Sequence, residues 1–267
     1  MSIISLLSDF GCKDPYVAEM KAVILSINPQ ARIIDVTHEI RKFDIRMGAY
    51  VLASAAPYFS HGSVHVAVVD PGVGTKRRPI IVETSRSLYV GPDNGLLMLA
   101  AHKEHITNVY AIDNPAYMLA EVSKTFHGRD IFAPAAAHLT RGNKPSSFGD
   151  AISDYVVPEF AKPGESDGEL RGMILHIDDF GNVISNITAE DLAKMGFHEA
   201  DSLLVRLGGK TLSVRFCSAY GEVSDGAPLA LIGGSNFLEV AVNRGSASTV
   251  LGAKVGEAFH VSCGVSS

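Results

Sequence analysis

The chain has 267 residues, 23 of them basic and 29 acidic, for a formal net charge of −6. That balance excludes a phosphate-backbone binder, which needs a dense basic footprint, so no nucleic-acid partner is expected. Hydrophobic residues make up 46% of the chain and charged ones 19%, which excludes disorder. No apolar run reaches the roughly 18 residues of a membrane span, so no membrane partner is expected either. The first nine residues lack the positive region and cleavage site of a secretory signal. Cys12, Cys217 and Cys263 form no CxxC pair, and a reducing cytoplasm is the expected setting. His61 with His65 and His102 with His105 have short spacings, but no third ligand lies near either pair. No metal is expected.

The first half alternates strand and helix signals. A strand is predicted over Ile3 to Leu7, ending in the turn Ser8-Asp9-Phe10-Gly11. Asp14-Pro15 opens a helix, with Asp14 as cap and Pro15 in the first helical position, that runs to about Ile27. Arg32 to Val36 is a second strand, and Asp44 to Ala56 a second helix that breaks at Pro57. Val64 to Val69 is almost wholly apolar, as a strand covered on both faces should be. Short strands over Ile80 to Glu83 and Leu88 to Val90 follow. Asp93 then caps a helix from Asn94 to about His102, before a strand over Asn108 to Ile112 and a helix over Arg129 to Leu139. This alternation predicts a three-layer α/β domain with a mostly parallel sheet over residues 1–157.

The pattern then changes. Residues 158–170, rich in proline, glycine and charge, read as a linker. Over 171–267 come short strands: Met173 to Ile177, Val183 to Ile187, Ser202 to Leu207, Thr211 to Phe216, Leu229 to Ile232, Phe237 to Val242 and Ala258 to Val261. One helix is predicted, Ala189 to Met195, capped by Thr188. Many short strands with glycine turns predict a small C-terminal β-barrel domain.

In an open α/β sheet, ligands gather at the carboxyl ends of the strands, where Asp9, Asp70 and Asp93 fall. Asp93 is adequately explained as a helix cap. The strand ending at Val69 delivers Asp70 into Pro71-Gly72-Val73-Gly74-Thr75-Lys76-Arg77-Arg78, a glycine-rich loop with two arginines. It is neither a phosphate loop nor a dinucleotide fingerprint, because no Gly-Lys-Ser/Thr and no following helix is present. A second polar cluster is Phe126-His127-Gly128-Arg129-Asp130, and a third is Asp178-Asp179-Phe180-Gly181-Asn182. Asn182 either closes its own turn or reads a purine edge.

Seven segments in one order carry a resemblance over nearly the whole chain. They are Leu7 to Gly11, Asp35-Val36-Thr37-His38, Val69 to Gly74, Gly91-Pro92-Asp93-Asn94-Gly95, Phe126 to Asp130, Asp178 to Asn186 and Leu238 to Asn243. The chain resembles the S-adenosyl-L-methionine (SAM) hydroxide adenosyltransferases, or SAM hydrolases, relatives of the SAM-dependent fluorinase and chlorinase. The resemblance implies an N-terminal α/β domain and a C-terminal barrel. It also implies a homotrimer, with SAM held between one subunit's first domain and a neighbour's second.

By that resemblance the catalytic triad falls on Asp70, Arg77 and His127, with Arg78 the neighbouring alternative to Arg77. Asp9 would hold the ribose hydroxyls. Asn182 would read adenine with Phe180 packing nearby, and Asp178 and the Ser235 region would take the methionine ammonium. Glu239 and the backbone near Val242 lie in the matching C-terminal segment. The implied reaction is displacement at the ribose C5′ by water, giving adenosine and L-methionine without a metal or redox cofactor. Either Asp70 or His127 would be the base. Two alternatives are a halogenase and a non-catalytic adenosine or SAM binder. In the halogenases tyrosine matches Asp70, and a carboxylate there would repel a halide but help deprotonate water.

Overall fold

The computed structural model describes residues 3–207 and 209–264. Continuous burial along two of the first strands explains the sheet. Strand β1 (Ile3–Ser8) and β3 (Val64–Val68) are apolar and buried at consecutive positions, so both faces of the sheet are covered. Ile4, Leu6, Val64, Val66 and Val68 face one core, completed by Met20 and Ile24 of α1 (Tyr16–Ile27) and the alanines of α4 (Ala133–Thr140). On α2 (Ile45–Ala55), Gly48 lies against Leu96 and Val69. The remaining strands are β2 (Arg32–Thr37), β4 (Pro79–Thr84), β5 (Leu88–Pro92) and β6 (Ile106–Ala111), in the spatial order β2-β1-β3-β5-β4-β6. Strands β2, β1, β3 and β5 run parallel, and β4 pairs antiparallel with β5 and β6. The result is the mostly parallel α/β sheet that the alternation predicts.

A change of unit falls between Pro158 and Glu159. The stretch read as linker holds a short 3-10 turn, the strand β7 (Gly164–Ser166) and the start of β8 (Glu169–Ile177). Beyond it lie β9 (Val183–Thr188), β10 (Ser202–Leu207), β11 (Lys210–Cys217), β12 (Pro228–Ile232), β13 (Phe237–Val242) and β14 (Ala258–Cys263). The order β14-β10-β11-β12-β13-β9-β8 closes through a β14–β8 ladder, so these seven strands form a barrel. Helix α5 (Ala189–Lys194) opens with a reciprocal Thr188–Asp191 capping box.

Four local expectations are corrected. Helix α1 starts at Tyr16, with Pro15 at the cap position and no side-chain cap bond, so Asp14 is not its cap. Asp93 caps nothing: β5 extends to Pro92, and α3 (Met98–Lys103) begins five residues after Asp93. A five-residue π turn, Gly128–Phe132, replaces the start of the helix expected from Arg129. Helix α6 (Ala247–Leu251) has too little apolar periodicity to read from sequence; Ser246 caps it, and Gly252 closes it at a φ of 68°.

Candidate active site

Strands β1 and β3 end side by side. The Asp9 amide bonds the Val68 carbonyl (3.4 Å), and Asp70 follows two residues after Val68. The chain then turns through Gly74 at a φ of 74°, where an added Cβ would lie 2.2 Å from the Lys124 carbonyl. Only glycine lets this loop approach residues 123–127 so closely. That approach brings Arg77 between Asp70 and His127.

Arg77 grips Asp70 through both carboxylate oxygens, with Nε donating to Oδ1 (3.1 Å) and Nη2 to Oδ2. Nη2 also lies 3.1 Å from His127 Nδ1. The side chains of Arg77 and Asp70 are 7% and 5% exposed, and the guanidinium sits 5.6 Å from the centre of the Phe132 ring. Arg77 Nη1 is buried without a hydrogen-bond partner among the described residues. The neighbouring Arg78 turns the other way, onto Asp93 (2.8 Å) and Asp154 (2.7 Å). Asp93 accepts from Arg78 and from the Val156 amide (2.8 Å), so it anchors the end of the first unit. Of the two adjacent arginines, Arg77 is the one that lies beside both Asp70 and His127.

Burial, reinforced by the Arg77 charge, lowers the pKa of His127 below its ordinary value; Asp70 and Asp130 oppose the shift without cancelling it. The ring is therefore neutral near pH 7. A guanidinium only donates, so Nδ1 accepts and the ring proton resides on Nε2. The Ser123 backbone hydrogen-bonds the same ring. His127 is thus oriented from two sides.

Asp9 is 6% exposed, and its Oδ2 accepts the Phe43 amide (2.9 Å). Lys42 Nζ donates to the Asp9 carbonyl. Phe43 has a φ of 65° and a 68% exposed ring, a strained non-glycine residue beside a candidate substrate carboxylate. Sequence reasoning missed both residues, because nothing in Arg41-Lys42-Phe43-Asp44 marks a left-handed turn.

The second unit carries a separate cluster in the β8–β9 turn. Asp178 Oδ1 accepts the Phe180 and Asn182 amides (3.0 and 2.9 Å), and Oδ2 accepts Asn182 Nδ2 (2.9 Å). Gly181, at a φ of 83°, leaves room for Ser246, whose Oγ would lie 2.1 Å from an added Cβ. The turn displays Phe180 at 81% exposure. A cleft of about 660 Å³ is lined by Asp178, Asp179, Phe180 and Asn182 together with Tyr220, Val242, Arg244 and Gly245. Tyr220 donates to Glu239, whose carboxyl burial pushes up, helped by Asp178 and opposed by that hydrogen bond. Ser235 lies instead in the β12–β13 turn and is not among the cleft-lining residues. Tyr220 and Arg244 escaped the sequence reading because they lie outside its motifs; an aromatic or arginine in a loop has no spacing signature. Among the described residues no group of three or more His, Cys, Asp or Glu is placed to hold a metal ion. His65 is a core histidine, 2.7 Å from Ser5 Oγ and stacked on Tyr89.

Comparison with known proteins covers both units. Residues 4–149 match the family described as SAM hydroxide adenosyltransferase N-terminal domain, and residues 172–260 match its C-terminal domain. The chain is 40% identical to a protein of Thermus thermophilus named (R)-S-adenosyl-L-methionine hydrolase, over 96% of this chain and 98% of that one. A fluorinase of an Actinoplanes species is 29% identical over 90% of this chain and 91% of its own length. A crystal structure of an uncharacterized conserved protein from Thermotoga maritima superposes with a TM-score of 0.85 at 39% identity, covering 97% of this chain and 99% of that one.

Proposed function

The chain belongs to the SAM hydroxide adenosyltransferase family, and on that premise we propose that it hydrolyses SAM, in the (R)-sulfonium form named for its relative, to adenosine and L-methionine. The observation that carries this reading is the interlocked Asp70–Arg77–His127 cluster at the carboxyl edge of the sheet.

The chemistry follows from what each group has left to offer. A water oxygen attacks C5′, the C5′–S bond breaks, and its electron pair stays on sulfur as the neutral thioether of methionine. That leaving group needs no general acid or metal. The demand is on the nucleophile, because water must lose a proton as it attacks. The buried Nη1 of Arg77 is a donor for the attacking oxygen and stabilises hydroxide character there. His127 accepts from Arg77 through Nδ1 and carries its proton on Nε2, so it orients the guanidinium rather than taking the water's proton. Asp70 is the anionic acceptor of the cluster and the base in this reading. Merging hydroxide with a sulfonium cation removes charge, which a dry site favours over bulk water.

Around the reacting centre, Asp9 takes the ribose hydroxyls. Asn182 reads the adenine edge through the amide positions that Asp178 leaves free, and Phe180 stacks nearby. Asp178, Glu239 and the backbone near Val242 receive the methionine end, with the Ser235 turn as a further contact. A homotrimer pairing one subunit's first unit with a neighbour's second, working in the cytoplasm without metal, completes the proposal.

The test is chromatographic. Purified protein is incubated with SAM at neutral pH, with and without chloride, fluoride and EDTA, and the nucleosides are separated. Adenosine and methionine in equal amounts, independent of halide and EDTA, is the expected result. A 5′-halogenated nucleoside would establish the halogenase, and bound but unconverted SAM the binding module. Against a halogenase stands the Asp70 carboxylate in the cluster, which would repel an incoming halide.

A further inference from the structure

Outside the catalytic cluster, three side chains from two separate motifs form a chain of polar contacts beneath the Asp9 loop. Ser8 ends β1 and is 1% exposed; His38 is 4% exposed. Ser8 Oγ lies 2.7 Å from His38 Nδ1. His38 Nε2 lies 3.2 Å from Asp35 Oδ1, at ion-pair distance but without hydrogen-bond geometry, and Lys21 Nζ lies 2.6 Å from Asp35 Oδ2. Asp35 is acceptor-only when ionised, so the ring proton belongs on Nε2 and Nδ1 accepts from the Ser8 hydroxyl. Ser8 Oγ is then free to accept the Phe10 amide at 3.3 Å.

We propose that Ser8, His38 and Asp35 form a positioning relay that sets the substrate-facing loop Asp9–Gly11. The proposal rests on the reading of Asp9 as the ribose-binding carboxylate. Both sides of the loop are tied to the relay. The Gly11 amide donates to the His38 carbonyl (2.7 Å), and the Ile40 amide donates to the Ser8 carbonyl (3.4 Å). Asp9 lies between these ties. Phe10, whose amide the relay holds, puts its ring 5.6 Å from Phe126, the residue before His127. One chain of contacts therefore adjusts both the ribose carboxylate and the seating of the Phe10 ring on Phe126.

The residue types invite comparison with a Ser-His-Asp nucleophile, but the geometry excludes that role. The ring nitrogens are exchanged relative to the hydrolase arrangement, and Ser8 is too buried to meet a substrate atom. A hydroxyl and an imidazole in a core hold one arrangement only while they satisfy each other. Burial works to raise the Asp35 carboxyl, but the hydrogen bond from Lys21 and the nearby His38 ring outweigh it and hold it below the ordinary value. The outer end of the chain therefore stays anionic near neutral pH.

The test uses the full chain carrying Ser8→Ala, Asp35→Ala, Asp35→Asn or Ser8→Ala with Asp35→Ala. Adenosine affinity is measured by calorimetry, kcat and KM are measured on SAM, and melting temperature is followed in parallel. The Asp35 side chain is 38% exposed, so its variants spare the core. Ser8→Ala should weaken adenosine binding and raise KM about tenfold while kcat stays within about twofold. Asp35→Ala should do so by about threefold, and Asp35→Asn, which keeps an acceptor, should stay within about 1.5-fold of the parent. The double variant should be no worse than Ser8→Ala, because both changes cut one chain. Unchanged adenosine affinity in Ser8→Ala would overturn the relay, as would additive losses or a fall in kcat and melting temperature with KM constant. A parent protein that neither binds adenosine nor consumes SAM would instead overturn the functional reading on which the relay depends.

Discussion

The two polar clusters of this protein solve opposite problems. In the first unit, Asp70, Arg77 and His127 are spent on one another, with the Arg77 and Asp70 side chains almost closed to solvent. In the second, Asp178 is spent on its own turn, and that turn pushes Phe180 into solvent at the mouth of an open cleft. Groups that satisfy each other hold their geometry before any ligand arrives, which suits chemistry. Groups fixed by a tight turn but left exposed suit recognition, because the ligand supplies the missing burial. On the proposed function, the contrast gives rate to the first cluster and affinity to the second.

The sharpest way to break that division is at Arg77. Arg77→Ala strands the buried Asp70 carboxylate, and turnover of SAM should fall by about a thousandfold with a loss of about 3–5 kcal/mol of stability. Asp70→Asn keeps the shape and should give a similar loss of turnover with a smaller loss of stability. Full turnover by either variant would refute the assignment of rate to this cluster.

Next comes acid sensitivity, which should belong to the first unit. Burial lowers His65 to a pKa of about 4, from an ordinary 6.5. The unfolded chain therefore binds that proton first. Stability from this group is fully present above about pH 6.5 and is lost as pH falls towards 4, by about 3 kcal/mol in all. Calorimetry between pH 4 and 7 should show the loss, and His65→Gln should flatten it. An unchanged pH slope in that variant would remove His65 as the cause.

Recognition should respond differently. Asp178→Ala frees the Phe180 and Asn182 amides and loosens the cleft wall, so KM for SAM should rise about thirtyfold while kcat changes less. A fall in kcat at constant KM would blur the division between the clusters. The smallest effects test the scaffold. Removing the helix cap of either unit, by Asp44→Ala or Thr188→Ala, should cost about 1 kcal/mol of stability and leave both kinetic constants alone. Any shift of KM in Thr188→Ala would mean that the barrel transmits helix strain to its cleft.

Reading the sequence in order recovered the elements whose periodicity is strong and local. The apolar runs of β1 and β3, the helix that starts at Asp44 and the Thr188 cap each announce themselves within a few residues. Several of the features missed depended on a distant partner. Asp93 looks like a helix cap until Arg78 and Val156 claim its oxygens. Helix α6 is short and owes its place to Ser246 fitting beside Gly181. Tyr220 lines the cleft, and its hydroxyl reaches Glu239, 19 positions along the chain.

The sequence by itself determined the kind of fold and the family, because strand and helix periods, turn glycines and seven ordered motifs are all written along the chain. Tertiary structure alone decided which of two adjacent arginines faces Asp70, which nitrogen of His127 holds its proton, and that Ser8, His38 and Asp35 touch. Those outcomes hinge on contacts spanning 7, 30 and 50 positions of chain, with only the step from Asp35 to His38 being local. The turn at Gly74 sets the contacts of Arg77 and His127, and the pairing of β1 with β2 sets that of Ser8 with His38; no local propensity records where such segments will meet.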